Sequence, residues 1–296
     1  MSFIEVKSFA KINLALNVTG KLKLLHKIES IVSFISLSDL IFIKKIKGPD
    51  HRISFYGNFS KNIDSDNTVV KLFKILDKKK LLKDRKFKIR IKKNIPQKAG
   101  LGGGSMNASS VLNFLIKKKI VKISQKQIQN ISSLIGSDVI LGINHSSAIL
   151  KSNNIVKKFS KCPIFHTLLV KPNFGCSTKV IYSRVKKITN SKFNNPKKLM
   201  FNPEYLARQE NALEVAAFSR YPKLKRIKSF LENLKNPLFV RMTGSGSVII
   251  AYYQSKKDCE LAKVQFKRKY KNYWCNTSKT ISVSYTHLTL PTICSV

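Results

Sequence analysis

Residues 94–107 read NIPQKAGLGGGSMN, with glycines at 100, 102, 103 and 104 set between a strand pattern and a helix pattern. Before it, Phe87 to Lys92 (FKIRIK) alternates apolar and basic residues, the period of a half-buried strand. After it, from Met106 to Leu115, Ala108, Val111, Leu112 and Leu115 recur at helical spacing. Glycine removes the Cβ where a backbone must curl and approach another group closely. The first N–H groups of the following helix lack internal partners and sit at the positive end of its dipole, which attracts phosphate. A tight turn before a helix uses the same residues, so the loop alone does not separate a phosphate cradle from a turn. It is not a Walker loop, because GxxxxGK[ST] is absent, and it does not fit the GxGxxG dinucleotide fingerprint.

The 296 residues suffice for one large or two ordinary domains, and a 43% hydrophobic fraction supports real cores. A net charge of +41 ordinarily points to nucleic acid. Here the lysines run from Lys21 to Lys269 among abundant Ile, Asn, Ser and Phe. No RNA-recognition aromatic signature, zinc pattern or helix-turn-helix accompanies them. The expectation is a lysine-biased solvated surface without a specific nucleic-acid partner, whose field favours an anionic small substrate. Cys162, Cys176, Cys259, Cys275 and Cys294 are odd in number and form no C-x-x-C pair, so neither a disulfide framework nor a protein-held metal site is indicated. The opening MSFIEVKSFAKINLAL does not read as a signal peptide, and no run approaches the ~20 apolar residues that span a bilayer. A cytoplasmic protein with no membrane partner is expected; oligomeric state is not legible.

Strand patterns cover Ile4–Val18, Ile28–Leu37 and Asp39–Ile46, and a helix over Asn67–Leu76 has Asp66 or Asn67 as its cap. A second helix, Ser124–Leu134, is capped by Ser124; Gly136-Ser137-Asp138-Val139 then opens a helix or tight turn, and Ser147–Leu150 is extended. Strand-like Thr167–Val170 runs into a break at Lys171-Pro172-Asn173, which suggests a second domain. Domains of 1–155 and 156–281 are expected. The latter carries helices at Ser177–Val185, Pro203–Ser219, Leu224–Leu234 and Asp258–Tyr270, and strands at Phe239–Met242 and Ser247–Tyr253. Val283 to Val296 contains no Lys, Arg, Asp or Glu in a chain that is 24% charged, so 283–296 is expected to be a non-native tail.

Four segments occur in order: Ala10-Lys11-Ile12-Asn13-Leu14, Pro96 to Ala108, Gly136-Ser137-Asp138-Val139 and Thr243-Gly244-Ser245-Gly246. Together they resemble the GHMP small-molecule kinases, the superfamily of galactokinase, homoserine kinase, mevalonate kinase and phosphomevalonate kinase. Within it, AKINLxLxVxG and GLGGGS are similar to the branch of non-mevalonate isoprenoid synthesis that phosphorylates a cytidine-diphosphate-linked polyol. The resemblance spans roughly residues 5–280. It implies a two-domain α+β fold, with an N-terminal domain like ribosomal protein S5 domain 2 and a ferredoxin-like C-terminal domain. It also implies ATP as donor, Mg²⁺ as its companion ion, and an active site between the domains.

Phosphoryl transfer to an alcohol requires an in-line hydroxyl, stabilised phosphate charge and a proton acceptor. The resemblance implies that Asp138 takes the proton and that Lys11 keeps the carboxylate ionised. Asp138 alone could be a helix cap, and Lys11 is one lysine of many, although it sits inside an apolar AKINLAL. Pro96, Gln97, Lys98, Ala99, Gly100, Leu101, Gly102, Gly103, Gly104, Ser105 and Met106 would wrap the ATP phosphates. The Ser105 hydroxyl would reach phosphate or Mg²⁺, or else cap the helix. Asn67 would lie near the adenine, or cap its own helix. Asn13, His26, Gly244 and Ser245 would meet the acceptor, with a plain hairpin turn as the alternative for Gly244. Two departures from the family pattern stand out. Of its Asp-Gly-Tyr-His only His26 remains, with Leu25 where an aromatic would stack on cytosine, and Met106 replaces a smaller residue.

Overall fold

The computed structural model describes residues 2–22 and 25–281, excluding the side chains of Leu22 and Leu25. The expectations for Leu25 as a base contact and for 283–296 as a non-native tail lie outside the described residues.

The fold is organised by one long antiparallel hairpin, β1 (Ile4–Leu22) and β2 (Leu25–Ile46). The two strands expected at 28–37 and 39–46 are one. The polar break at Ser36 to Ser38 marks a register shift, with Phe9 opposite Ser38 but Ala10 opposite Ile35. Such a bulge bends a strand and re-aims its side chains without ending it. The other edge of β2 is shared. Leu40–Ile46 pairs with β4 (Lys86–Lys92), which carries β3 (Arg52–Tyr56) parallel on its far side. Ser30–Val32 pairs with β5 (Ser147–Leu150), followed by β6 (Val156–Phe159).

Three helices cover this mixed sheet: α1 (Thr68–Lys78), α2 (Gly103–Lys117) and α3 (Gln125–Ile135). Leu72 and Leu76 of α1, Val111 and Leu115 of α2 and Ile128 and Ile131 of α3 pack with Ile41, Ile89 and Ile91. Each such side chain contributes roughly 1.5–3 kcal/mol on burial. The caps follow the sequence. Asn67 Oδ1 accepts from the N–H groups of Val69 and Val70 at 3.1 and 3.2 Å, and Ser124 closes a capping box with Gln127. Helix α2 is buried from Met106 to Leu115, and its Ala108, Ser109 and Ser110 are small enough for close approach.

The second sheet has the order β10-β7-β9-β8, antiparallel throughout: β7 (His166–Lys171), β8 (Phe239–Met242), β9 (Ile249–Tyr253) and β10 (Trp274–Lys279). Helices α4 (Thr178–Ser183), α5 (Pro203–Ala207), α6 (Leu213–Arg220) and α7 (Pro222–Glu232) join β7 to β8, and α8 (Lys256–Lys269) joins β9 to β10. This βαββαβ order is the ferredoxin-like arrangement expected of the C-terminal half. Leu168, Val170, Ile249 and Ala251 meet Leu213, Leu224, Ile227 and Phe266 in its core, and Leu16 and Val18 of β1 enter the same cluster. Between the sheets, Ile12, Leu14 and Ile35 pack with Leu101, Leu169 and Ile250.

Two expected boundaries read differently in the structure. Val156–Phe159 completes the first sheet, so we place the division between the halves in the 160–165 connection. The helix expected over 203–219 is broken at 208–212, where Leu16 N donates to Glu210 O (3.0 Å) and Ala212 N to Leu16 O (2.8 Å). A tertiary strand contact outcompetes the local helical period there.

Candidate active site

Strand β1 delivers Lys11 and Asn13, two residues apart and therefore on one face. Lys11 Nζ donates to Asn13 Oδ1 at 2.9 Å and lies 3.0 Å from Asp138 Oδ2. Asn13 Nδ2 donates to Ser30 Oγ at 2.8 Å, which fixes its oxygen toward the lysine. Lys11 is 4% exposed and Asp138 31%. The ammonium thus approaches from inside the protein, while the carboxylate faces the cleft. A buried ammonium requires such partners to remain charged. No side-chain cap is made at the start of the 3₁₀ turn 140–145, and the Asp138 carboxylate is directed at Lys11 instead.

The glycine loop fits around this pair. Gly102 occupies the cap position of α2 in the left-handed region (φ +65°), and a Cβ on it would stand 3.2 Å from Lys11 Cε. Ser105 lies in the first turn, so the alternative of Ser105 as the cap does not hold. Gly100, at φ +75°, faces the second glycine turn so closely that a Cβ would lie 1.9 Å from Thr243 O. The Thr243 hydroxyl donates to Gly100 O at 3.2 Å and accepts from Asn13 N at 3.0 Å. Beyond it, Ser247 N donates to Lys98 O and Val248 N to Ala99 O. The 243–246 turn joins β8 to β9, as a hairpin turn would, and it also docks on the first glycine loop.

These elements line one cleft of about 1540 Å³ between the two sheets. It brings together Lys11, Asp138, Asn13, His26, Gly244, Ser245, Asn67 and every loop residue from Pro96 to Ser105. Met106 is the exception: its side chain is wholly buried, packed toward Gly142. One residue of helix turns it about 100° away from Ser105, so its expected nucleotide contact is corrected to a core role. Asn67 borders the cleft, but its polar atoms are engaged locally, Oδ1 in the α1 cap and Nδ2 on Asp64 O at 3.0 Å. No group of three or more His, Cys, Asp or Glu side chains forms a metal cluster among the described residues.

His26 faces Tyr182 of α4 with ring centroids 5.2 Å apart. Partial burial, reinforced by Lys21, lowers the His26 pKa, so the imidazole is neutral at neutral pH. Burial, with the Asp138 charge as a second cause, raises that of Tyr182, which keeps its proton. One turn earlier on α4, Thr178 Oγ1 lies 2.9 Å from Ser245 Oγ. Tyr182 and Thr178 escaped the sequence analysis; their i, i+4 spacing on a short helix was the available signal. The Lys93–Asp39 pair also escaped it. Asp39 is fully buried and binds the Lys93 ammonium, while its other oxygen accepts from Asn94 N (2.7 Å) and Ile95 N (2.9 Å). It pins the start of the loop to β2.

Residues 67–150 match the family model of the GHMP kinases N terminal domain and residues 185–272 that of the GHMP kinases C terminal. The chain is 57% identical to the 4-diphosphocytidyl-2-C-methyl-D-erythritol kinase of Pelagibacter ubique, over 95% of this chain and all of the relative. It is 34% identical to the enzyme of that name from Petrotoga mobilis, over 83% and 97% of the two chains. A crystal structure of 4-(cytidine 5'-diphospho)-2C-methyl-D-erythritol kinase superposes with a TM-score of 0.74 at 22% identity, covering 93% of this chain and 99% of that one. Homoserine kinase from Cytophaga hutchinsonii superposes at 0.70 with 16% identity, covering 95% of each chain. The chain belongs to the GHMP kinases and, within them, to the family of 4-diphosphocytidyl-2-C-methyl-D-erythritol kinases.

Proposed function

We propose that the cleft transfers the γ-phosphoryl group of ATP to the 2-hydroxyl of 4-diphosphocytidyl-2-C-methyl-D-erythritol. The observation that carries this reading is the Lys11–Asp138 pair, held at 3.0 Å beside the glycine-capped start of α2. The N–H groups of that helix end and of the preceding loop bind the donor phosphates. Asp138 accepts the acceptor's proton as its oxygen bonds to the γ-phosphorus and the bond to the β–γ bridging oxygen breaks, releasing ADP. Lys11 pairs with the Asp138 carboxylate and steers the hydroxyl; Asn13 holds Lys11 in place. His26 and Tyr182 receive the cytosine, Tyr182 supplying the aromatic face that the sequence lacks at position 25.

Mg²⁺ fits the donor set as an ion bound mainly by the nucleotide. The Ser105 hydroxyl and the Asn107 carboxamide both border the cleft, and Asn107 Oδ1 is a buried acceptor without a protein partner. Kinase sites hold Mg²⁺ through a few protein oxygens plus phosphates rather than in a full protein cage. When bound, the ion neutralises charge on the β- and γ-phosphates. A cytoplasmic setting belongs to the same proposal, supported by four free cysteines among the described residues.

The test is ADP release with a panel of acceptors. The cytidyl substrate is expected to be turned over far better than mevalonate, homoserine, galactose or methylerythritol phosphate, because remote binding energy positions the reacting hydroxyl. Preferential turnover of a non-cytidyl acceptor overturns the assignment.

A further inference from the structure

The break between α5 and α6 places a buried carboxamide, Asn211, between β1 and the second glycine turn. Asn211 is 2% exposed, and its backbone forms a parallel bridge with Leu16, three residues beyond Asn13. Both hydrogens of Nδ2 are used, one on Met242 O and one on Gly244 O, each at 2.8 Å. Oδ1 accepts from Leu213 N at 3.0 Å, which also starts α6. The group therefore spans the last residue of β8 and the first glycine of the 243–246 turn.

That turn has little freedom to drift without consequence. A Cβ on Gly244 would be 3.5 Å from Asn13 Oδ1, the atom that receives the Lys11 ammonium. On its other side Ser245 meets Thr178. Releasing the Gly244 carbonyl lets the turn move against Asn13, Lys11 and the acceptor space together. Other side chains cannot replace this clasp. Aspartate has no hydrogens to donate and sets a charge against two carbonyl oxygens, leucine leaves both carbonyls unpaired, and glutamine is one methylene too long for a filled site.

We propose that Asn211 is a positioning residue for phosphoryl transfer, holding the Gly244–Ser245 turn in register with the Lys11–Asp138 pair. The proposal rests on the kinase reading above. Asn211 touches no reacting atom, so its loss acts on turnover through geometry, where a displacement of about 1 Å costs on the order of 10²-fold.

The experiment compares Asn211→Asp and Asn211→Ser with the wild-type enzyme well below their melting temperatures. The expected result is a fall in kcat of ~10²-fold, with the dissociation constant of a fluorescent ATP analogue within about threefold of wild type. Amide exchange should accelerate at Gly244 to Ser247 and stay unchanged in β9. The smaller serine variant carries the same expectation if the aspartate variant does not fold. Wild-type kcat in a folded variant, or unchanged protection of the turn, overturns the proposal. A kcat loss that follows loss of nucleotide binding does so too. If the wild-type enzyme phosphorylates no acceptor on the panel, the assignment of function has failed instead, and the exchange measurement still judges the clasp.

Discussion

Lys11 and Asp138 meet at 3.0 Å in a space kept open by the missing side chain of residue 102. A Cβ there would stand 3.2 Å from Lys11 Cε and 3.6 Å from Asp138 Oδ2. The glycine loop is thus the wall against which the Lys11–Asp138 pair is set, and in the proposed function it is also the surface that binds the donor phosphates.

Asp138→Asn should keep the fold and ATP affinity while lowering turnover at least ~10²-fold, the usual scale for losing a general base. Lys11→Met should fail to a similar extent. Steady-state rates on variants of confirmed fold decide this. Near wild-type turnover in Asp138→Asn would remove the carboxylate from the mechanism.

Gly102 and Gly100 should respond differently to alanine. At Gly102 the new methyl group presses on Lys11 from a left-handed backbone, so activity should fall more than melting temperature. At Gly100 it collides with the Thr243 carbonyl, a backbone atom that cannot step aside, so stability and activity should fall together. Thermal melts beside single-concentration rates separate the two; equal melting temperatures for both variants would contradict the contact.

Tyr182→Leu should raise the Michaelis constant for the cytidyl acceptor roughly tenfold, from the ~1–3 kcal/mol that base–aromatic stacking provides. The constant for ATP should not change. A parallel rise in both constants would assign Tyr182 to the shape of the cleft and not to the base.

His145 sets a pH limit on stability. Its ring, half-buried against Phe9 and Phe34 and bonded to Ser110, has its pKa pushed down to about 4 by desolvation, with Lys117 and Lys158 adding to the shift. The unfolded chain binds a proton near pH 6.5 that the folded chain refuses until about pH 4. Stability should therefore be full above pH 6.5 and fall by about 3 kcal/mol as pH drops through this window. Denaturant titrations from pH 4 to 7 on wild type and His145→Gln check this: the variant should lack that part of the slope.

Much of the candidate site was legible because the residues that border the cleft are local in sequence. The glycine loop, Lys11 with Asn13, the Asp138 turn and Gly244 each announce themselves within a few positions, and all of them border the cleft. Met106 was misplaced because a contiguous motif does not say which residues a helix turns inward. Tyr182, Thr178 and Asp39 were missed because their roles depend on neighbours 54 to 156 residues away, supplied by folding alone. The short strands β3, β6 and β10 gave weak patterns for the same reason. Lysine-rich or polar segments such as VKKF and WCNTSK become strands through the partner strand and not through their own propensity.

The contact between Gly100 and Thr243 also bears on how such an enzyme can be recombined. Two halves with separate sheets invite exchange between relatives at the 160–165 connection. The seam, however, is cut from both sides: a glycine in one half is shaped to a carbonyl in the other, and Asn211 stitches the same region to β1. A chimera would inherit two surfaces that had never been fitted to each other, at the point where catalysis tolerates least error. The halves are separate in architecture but heritable only as a pair.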